Sequence, residues 1–302
     1  MIIVTDSPEF SKSYFATEDT VNKHGTPFYR EAEQTFLKGD IYSYNSDISF
    51  WKYAYITEFA EDSQFDQILR LCGNRTALSN NTICIAGSGK KFHGFRNRHW
   101  ESHVGNIHLS CYFKPFAKAS DIGLGFTMLA AVSVIDTLNY LSKLRNMAQI
   151  KWVNDIIVNN AKICGVIAQT VIQGDKITDA VIGVGLNVES VPVIHPTSFV
   201  PAATSINSVT GENFTAGEIN LLLLEHIELN YKLLISHGVK AILKKYNDYS
   251  MVIGRNIEVW SDPHVGKPDL INKGKVERIG DFLEIYLENQ VKPVSDGRII
   301  IL

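Results

Sequence analysis

Lys151, Asn154 and Asp155 open the stretch KWVNDIIVNNAKICGVIAQTVIQGDKITDAVIGVGLNV (151–188), and Asn187 lies one residue before its end. An ammonium, a carboxylate and two carboxamides sharing one space would suit a polyanion with a bound divalent cation. Lys151 and Asp155 also fit a solvated strand-end pair, because exposed ion pairs are common and contribute ~0–1 kcal/mol. The runs between them decide whether they meet. Apolar, β-branched segments at 156–158, 163–172 and 177–184 are separated by Asn159-Asn160 and Gly174-Asp175. Such pairs between β-branched runs predict consecutive strands joined by tight hairpins. A hairpin sheet brings the distant ends of the stretch together.

A second candidate is GSGKKFHGFRNRHWESHVGN (87–106), with four glycines, two lysines, two arginines and three histidines and no periodic apolar face. A long loop of this kind is costly to order by itself. It suits folding over an anionic ligand, with guanidinium and backbone N–H donors to phosphate, and composition alone fits a mobile surface loop equally well. His93, His99 and His103 are expected to be solvated, since no cysteine or carboxylate completes a metal set.

The remaining elements are read from periodicity. Residues 51–59 alternate and predict a strand; 63–71 predict a helix capped by Asp62 or Ser63. Strands are expected at 82–86 and 107–113, and an amphipathic helix at 125–144 with Met128, Val132, Ile135, Leu138 and Leu141 on its buried side. Prolines 192, 196 and 201 predict a loop. Thr215 and Glu218 form a capping box for a long helix buried along Leu221, Leu224, Leu229 and Leu233, stopped by His237-Gly238 and followed by a short helix at 240–249. Short strands are expected at 256–260, 274–279 and 282–287, with Gly280-Asp281 as a turn. Residues 1–50 show no clear period, although Phe10, Tyr14 and Phe15 could share a helical face and 17–20 resemble a turn. They offer little room for a winged helix-turn-helix, so a DNA-binding regulator is disfavoured.

At 302 residues the chain can hold one large and one small domain. A formal charge of -3 argues against a generally nucleic-acid-binding surface. No apolar run reaches the length of a membrane span and the start lacks a secretory pattern, so a cytoplasmic protein is expected. Cys72, Cys84, Cys111 and Cys164 form no CxxC pair and read as reduced, mostly buried thiols.

KWVND, KICGV and GVGLNV, in that order and spacing, resemble the core of the biotin protein ligases, which usually show KWPND(I/L), K(I/L)(A/G)G(I/V) and G(I/V)G(I/L)N(V/M) there. The family's loop has the form EQTxGRGRxxRxW before a G-N-L-x-x-S strand. This chain keeps Gly94, Trp100 and 105–110 (GNIHLS), with Arg96 and Arg98 where loop basic residues are common. It departs at Gly89, His93 and Phe95, which stand where the family has glutamine and two arginines. Ser63-Gln64-Phe65 stands where it has Ser-Thr-Asn, and Ala203-Thr204-Ser205-Ile206 matches a TSL element. The C-terminal segment, ending VKPVSDGRIIIL, resembles the family's SH3-like barrel.

The resemblance implies an α+β fold: a mixed β-sheet flanked by helices, of the class II synthetase-like biotin/lipoate ligase kind, with a small C-terminal SH3-like β-barrel. It implies an N-terminal extension (1–50), a catalytic domain (51–250) and an SH3-like domain (251–302). By resemblance, biotin attacks ATP to give biotinyl-5'-AMP, and a lysine of a carboxylase's biotin carboxyl carrier protein domain takes the acyl group. Lys151 is then the central cation, Asn154 and Asp155 position nucleotide and Mg²⁺, and Lys162 and Asn187 line the same cavity. Gly165 and Gly185 allow close approach of backbone to ligand, while Trp100 and the loop through Gly94, Arg96 and Arg98 close over the intermediate. The lost loop residues leave two further readings: a ligase for lipoate or octanoate, and a non-catalytic adenylate- or partner-binding relative. Neither nucleic acid nor membrane is an expected partner; family members often form homodimers through the central sheet.

Overall fold

Short β-branched and aromatic runs punctuated by Asn, Gly and Pro condense into one large mixed sheet. The computed structural model describes residues 1–16, 22–23, 30–73, 78–262 and 267–302. Its strands begin with β1 (Ile2–Thr5), β2 (Asn22–Lys23), β3 (Tyr42–Asn45) and β4 (Tyr53–Ala60). Next come β5 (Thr82–Gly89), β6 (Ile107–Phe113) and β7 (Ala117–Lys118). The meander supplies β8 (Gln149–Lys151), β9 (Asp155–Val158), β10 (Ala161–Gln173) and β11 (Lys176–Leu186). The order across the sheet is β2-β3-β1-β4-β5-β6-β11-β10-β9-β8, with β7 beside β11. β4 runs parallel to β1 and β5, and the other described neighbours are antiparallel.

The expected hairpins form. Asn159, Asn160 and Gly174 take left-handed φ of 49°, 61° and 63°, conformations that Asn and Gly adopt most easily.

The helices are α1 (Pro8–Tyr14), α2 (Arg30–Phe36), α3 (Gln64–Gly73), α4 (Ala119–Ile122), α5 (Gly125–Tyr140), α6 (Ile206–Thr210), α7 (Ala216–His237) and α8 (Val239–Asp248). α5 packs on one sheet face with α7 and α8 against it, and α2 and α3 pack on the other. Three expectations need correction here. α5 is buried on nearly every side rather than along one stripe, because α7 and α8 cover what the sheet leaves. With α4 it forms the Ala119–Tyr140 stretch, which does reach the length and apolarity of a membrane span but is 72% buried inside the fold. In α7 the buried side runs through Ile219, Leu223, Leu224, Ile227 and Leu234, while Leu221 and Leu229 are 43% and 54% exposed. Of the expected stripe, Leu224 is buried and Leu233 packs half-buried against the core, whereas Leu221 and Leu229 turn away from it. The capping box is present: Thr215 Oγ1 accepts from Glu218 N at 3.2 Å, and Glu218 Oε2 accepts from Thr215 N at 2.8 Å.

The first fifty residues do not stand apart from the main body. β1 lies between β3 and β4 in the main sheet, and Tyr44 on β3 donates to Ser11 on α1 at 2.9 Å. Residues 17–20, expected as a turn, lie outside the described residues.

After α8 the chain forms a second antiparallel sheet from β12 (Asn256–Trp260), β13 (Leu270–Ile279), β14 (Ile285–Leu287) and β15 (Arg298–Ile301), in the order β14-β13-β12-β15. β14 starts three residues later than the expected 282, because residues 280–284 close a turn through Gly280 N to Glu284 O at 2.9 Å. This small sheet is consistent with an SH3-like unit. It is joined to the main body by Trp152, whose indole donates to Leu283 O at 2.6 Å in a buried bond.

Candidate active site

Strand register builds the site. Residues paired across neighbouring strands share a face. One row of pairs runs Lys151↔Asp155 (β8, β9), Asp155↔Gly165 (β10), Gly165↔Gly185 (β11), Gly185↔His108 (β6) and His108↔Ala86 (β5). A second row, two residues on, runs Ile167↔Gly183↔Ser110↔Cys84. Chain positions as distant as 86 and 165 therefore meet on the sheet face opposite α5.

A cavity lies over these rows. Of the expected site residues, Gly94, Arg98, Trp100, Asn154, Asp155, Lys162, Gly165 and Gly185 border it. Its floor is glycine because something large presses on it. A methyl group at Gly185 would come within 2.5 Å of the Trp100 ring, and one at Gly165 within 3.2 Å. The close approach expected of a ligand is, in this structure, made by Trp100. The Trp100 ring also carries Lys162 Nζ 5.4 Å from its centroid, and Lys162 pairs with Asp155 at 2.6 Å. Asn154 is fixed in its turn by two bonds to Val166: its side chain donates to the carbonyl at 2.5 Å, and its own carbonyl accepts from the N–H at 3.0 Å.

Lys151, Arg96 and Asn187 do not border this cavity. Lys151 stands at the end of the row, where its Nζ donates to Phe199 O at 2.7 Å. Burial lowers its pKa; Asp155 opposes that shift, and Lys162, Arg298 and Arg98 add to it. The ammonium is thus close to the Asp155–Lys162 pair, held by a carbonyl. Asn187 is 2% exposed, and its carboxamide is taken up by Thr204 O at 2.9 Å and Asn106 Nδ2 at 3.4 Å. It ties two loops together, so its expected place in the cavity is corrected. Arg96 points to the small sheet's Asp262 and Asp296 for a reason of charge: both carboxylates lie within its reach.

The loop histidines are also corrected in part. His93 is largely covered and its Nε2 lies 2.8 Å from Asp66, whereas His99 and His103 are exposed as expected. The cysteines are free, and burial pushes the thiols of Cys84, Cys111 and Cys164 upward.

The end of the cavity around Gln64 and His108 was only half legible in the sequence. Gln64, 3% exposed at the start of α3, has an amide nitrogen with no partner among the described residues. The same holds for the indole nitrogen of Trp100 and for Nε2 of His108. Burial lowers the His108 pKa to about 4, so the ring is neutral at pH 7. Its Nδ1 lies 3.3 Å from Ala86 O, which assigns the proton there and leaves Nε2 as a lone-pair acceptor. The alternation in IHLSCYF, with His108 and Ser110 polar among apolar neighbours, was a signal for this face that sequence reading passed over. No group of three or more His, Cys, Asp or Glu gathers as a metal centre among the described residues.

The fold is shared with the biotin protein ligase from Aquifex aeolicus in complex with biotin and ATP: TM-score 0.62, 20% identity, covering 83% of this chain and 99% of that one. At that identity the likeness speaks for the fold. Residues 69–187 match the model of the biotin/lipoate A/B protein ligase family. Among curated relatives, the bifunctional ligase/repressor BirA of Bacillus subtilis (strain 168) is 30% identical over 191 residues, 60% of this chain and 56% of that protein. The biotin--[acetyl-CoA-carboxylase] ligase of Paracoccus denitrificans is 27% identical over 135 residues, 45% of this chain and 55% of that protein. The chain thus spans little more than half the length of the curated relatives it matches. Its central domain is of the biotin/lipoate ligase class. Within that class, the relatives and the solved structure to which the chain is similar are biotin protein ligases.

Proposed function

We propose that this protein is an ATP-dependent ligase that converts biotin to biotinyl-5'-AMP and transfers the acyl group to a lysine of a biotin carboxyl carrier domain. The observation that carries the choice of acid is the set of unpartnered polar atoms on Gln64, Trp100 and His108 around one cavity. A cyclic urea offers N–H donors beside a carbonyl acceptor. His108 Nε2 would accept from a ring N–H, and the Gln64 amide or Trp100 indole would donate to the carbonyl. Lipoate and octanoate end in groups that make no such bonds, and each buried polar atom left unpaired costs about 1–3 kcal/mol. These side chains would take over recognition where Gly89, His93 and Phe95 replace the family's loop residues.

In the first step a carboxylate oxygen of the acid bonds to the α-phosphorus of ATP, and the bond to pyrophosphate breaks. In the second, a neutral lysine amine bonds to the acyl carbon, AMP leaves with the bonding electrons, and the amine's proton passes to solvent. Both steps need cations at the phosphate and shelter from water. Lys151 would leave the Phe199 carbonyl to meet carboxylate and α-phosphate, since a charged acceptor is the stronger partner for an ammonium. Lys162 and Arg98 border the same space and add positive charge. Asp155, whose carboxylate also pairs with Lys162, would hold an Mg²⁺ ion, which would supply positive charge against the departing pyrophosphate. The Trp100 ring and loop 94–98 would cover the adenylate.

The decisive experiment incubates the protein with ATP and biotin, lipoate or octanoate, with mass measurement of a biotin carboxyl carrier domain. A gain matching the biotinyl group, with stabilisation by biotin and ATP together exceeding either alone, is expected. Modification by lipoate or octanoate instead would overturn the choice of acid. Indifference of thermal stability to ATP with every acid would favour a non-catalytic relative.

A further inference from the structure

The loop over the cavity is fastened from outside the main sheet. Arg96 Nη1 donates to the backbone carbonyl of Asp262 at 3.0 Å and lies 3.1 Å from its carboxylate, while Nη2 pairs with Asp296. Arg98, which borders the cavity, pairs with the same Asp262 carboxylate. Arg298 approaches the other oxygen at 3.9 Å and lies over the Phe199 ring, 4.3 Å from its centroid. The Phe199 carbonyl is the one that receives Lys151. Asp262 is 13% exposed, and its carboxylate faces three guanidinium groups.

An isolated surface pair would contribute little. This carboxylate is shared, sheltered and central to a network, so its removal leaves like charges facing one another. The loop also needs holding. Lys91, Arg96 and Asn97 each have φ of 57°, a left-handed conformation that is unfavourable for residues with side chains. Inside the loop, the backbone bonds from Gly94 N to Arg98 O at 2.7 Å and from Trp100 N to Phe92 O at 2.9 Å tie it together. No described bond between Arg96 or Arg98 side chains and the main sheet replaces the Asp262 contact.

We propose that Asp262 is a positioning residue: from the small sheet it holds loop 94–98 over the cavity before any ligand arrives, presenting Arg98 at the wall and Trp100 on the glycine floor. A loop ordered in advance need not be ordered by the ligand, so the expected effect is on affinity and not on the chemical step. This kinetic half rests on the ligase reading above; the conformational half does not.

The test compares the intact chain with Asp262→Asn and Asp262→Glu. Without ligand, limited trypsin cleavage after Arg96 and Arg98, mapped by mass spectrometry, is expected to quicken roughly tenfold in Asp262→Asn and to stay near parental in Asp262→Glu. KM for ATP and for the acid should rise by about tenfold in Asp262→Asn with kcat within about twofold, and recover in Asp262→Glu. Cleavage at the parental rate in Asp262→Asn, or a fall in kcat with KM unchanged, overturns the proposal. Should Asp262→Asn fail to fold by circular dichroism, Asp296→Asn, which removes one partner of Arg96, must still raise cleavage after Arg96. If the parental protein activates no acid, the ligase reading fails, and the cleavage rates still decide the role of Asp262.

Discussion

On the proposed reading two side chains, Lys151 and His108, matter most to the site, and burial lowers the pKa of each. Lys151 is a partly desolvated ammonium, so its folded pKa lies below the ordinary 10.5. Adenylate formation is therefore expected to decline on the alkaline side before an exposed lysine would titrate. Lys151→Ala should lower acyl-AMP formation by at least ~100-fold, matching about 3–4 kcal/mol of lost transition-state stabilisation. The same variant should melt within a few degrees of the parent, because removing a desolvated charge relieves as much as it disrupts. Adenylate at the parental rate, read by pyrophosphate release, would sink the assignment. His108 behaves differently. Its folded pKa near 4 lies below the unfolded 6.5, so between these values the unfolded chain binds a proton that the folded chain refuses. Stability then falls as pH falls through that window, by up to about 3 kcal/mol. His108→Gln should lose less stability than the parent between pH 6.5 and 4, measured by urea unfolding, and should bind biotin more weakly at pH 7.

At the scale of elements, β10 and β11 give the cavity its floor by bringing Gly165 and Gly185 into register. Gly185→Ala places a methyl group 2.5 Å from Trp100, so the ring must move. Overpacking of this kind destabilises by about 1–3 kcal/mol. We expect a shifted Trp100 fluorescence and reduced ligand affinity, with the stability loss largely absent in a Trp100→Ala background; equal losses in both backgrounds would show that the contact is not the cause. The hairpins that create this register were legible, because Asn159-Asn160 and Gly174-Asp175 favour the backbone conformations of their turns. The buried faces of α5 and α7 were not. A helix covered by a sheet and two helices loses its polar side, and in α7 many leucines surround the helix, so several stripes fit the sequence equally well.

The large sheet and the small one share a continuous apolar core, and among the hydrogen bonds between them Trp152 makes a buried one. Trp152→Phe leaves Leu283 O without this donor and should destabilise the chain by roughly 1–3 kcal/mol. The change should appear as earlier thermal unfolding with the secondary structure retained at 25 °C. An unchanged melting temperature would mean that the two sheets are held by packing and the Asp262 network alone.

The amino-acid sequence by itself determined the meander, the glycines of its floor, the capping box and the likeness to the biotin protein ligases, since these depend on local backbone preference and short linked motifs. It brought Asp155, Lys162, Asn154, Trp100 and Arg98 to the candidate site by the same route. Only the tertiary structure decided that Asn187 ties loops together, that Arg96 turns to Asp262 and Asp296, and that residues 2–5, 22–23 and 42–45 extend the main sheet. It also decided which polar atoms, on Gln64 and His108, are buried without partners. Each of these depends on contacts between segments tens to hundreds of residues apart, where charge and burial are set by what packs nearby and not by the neighbours along the chain.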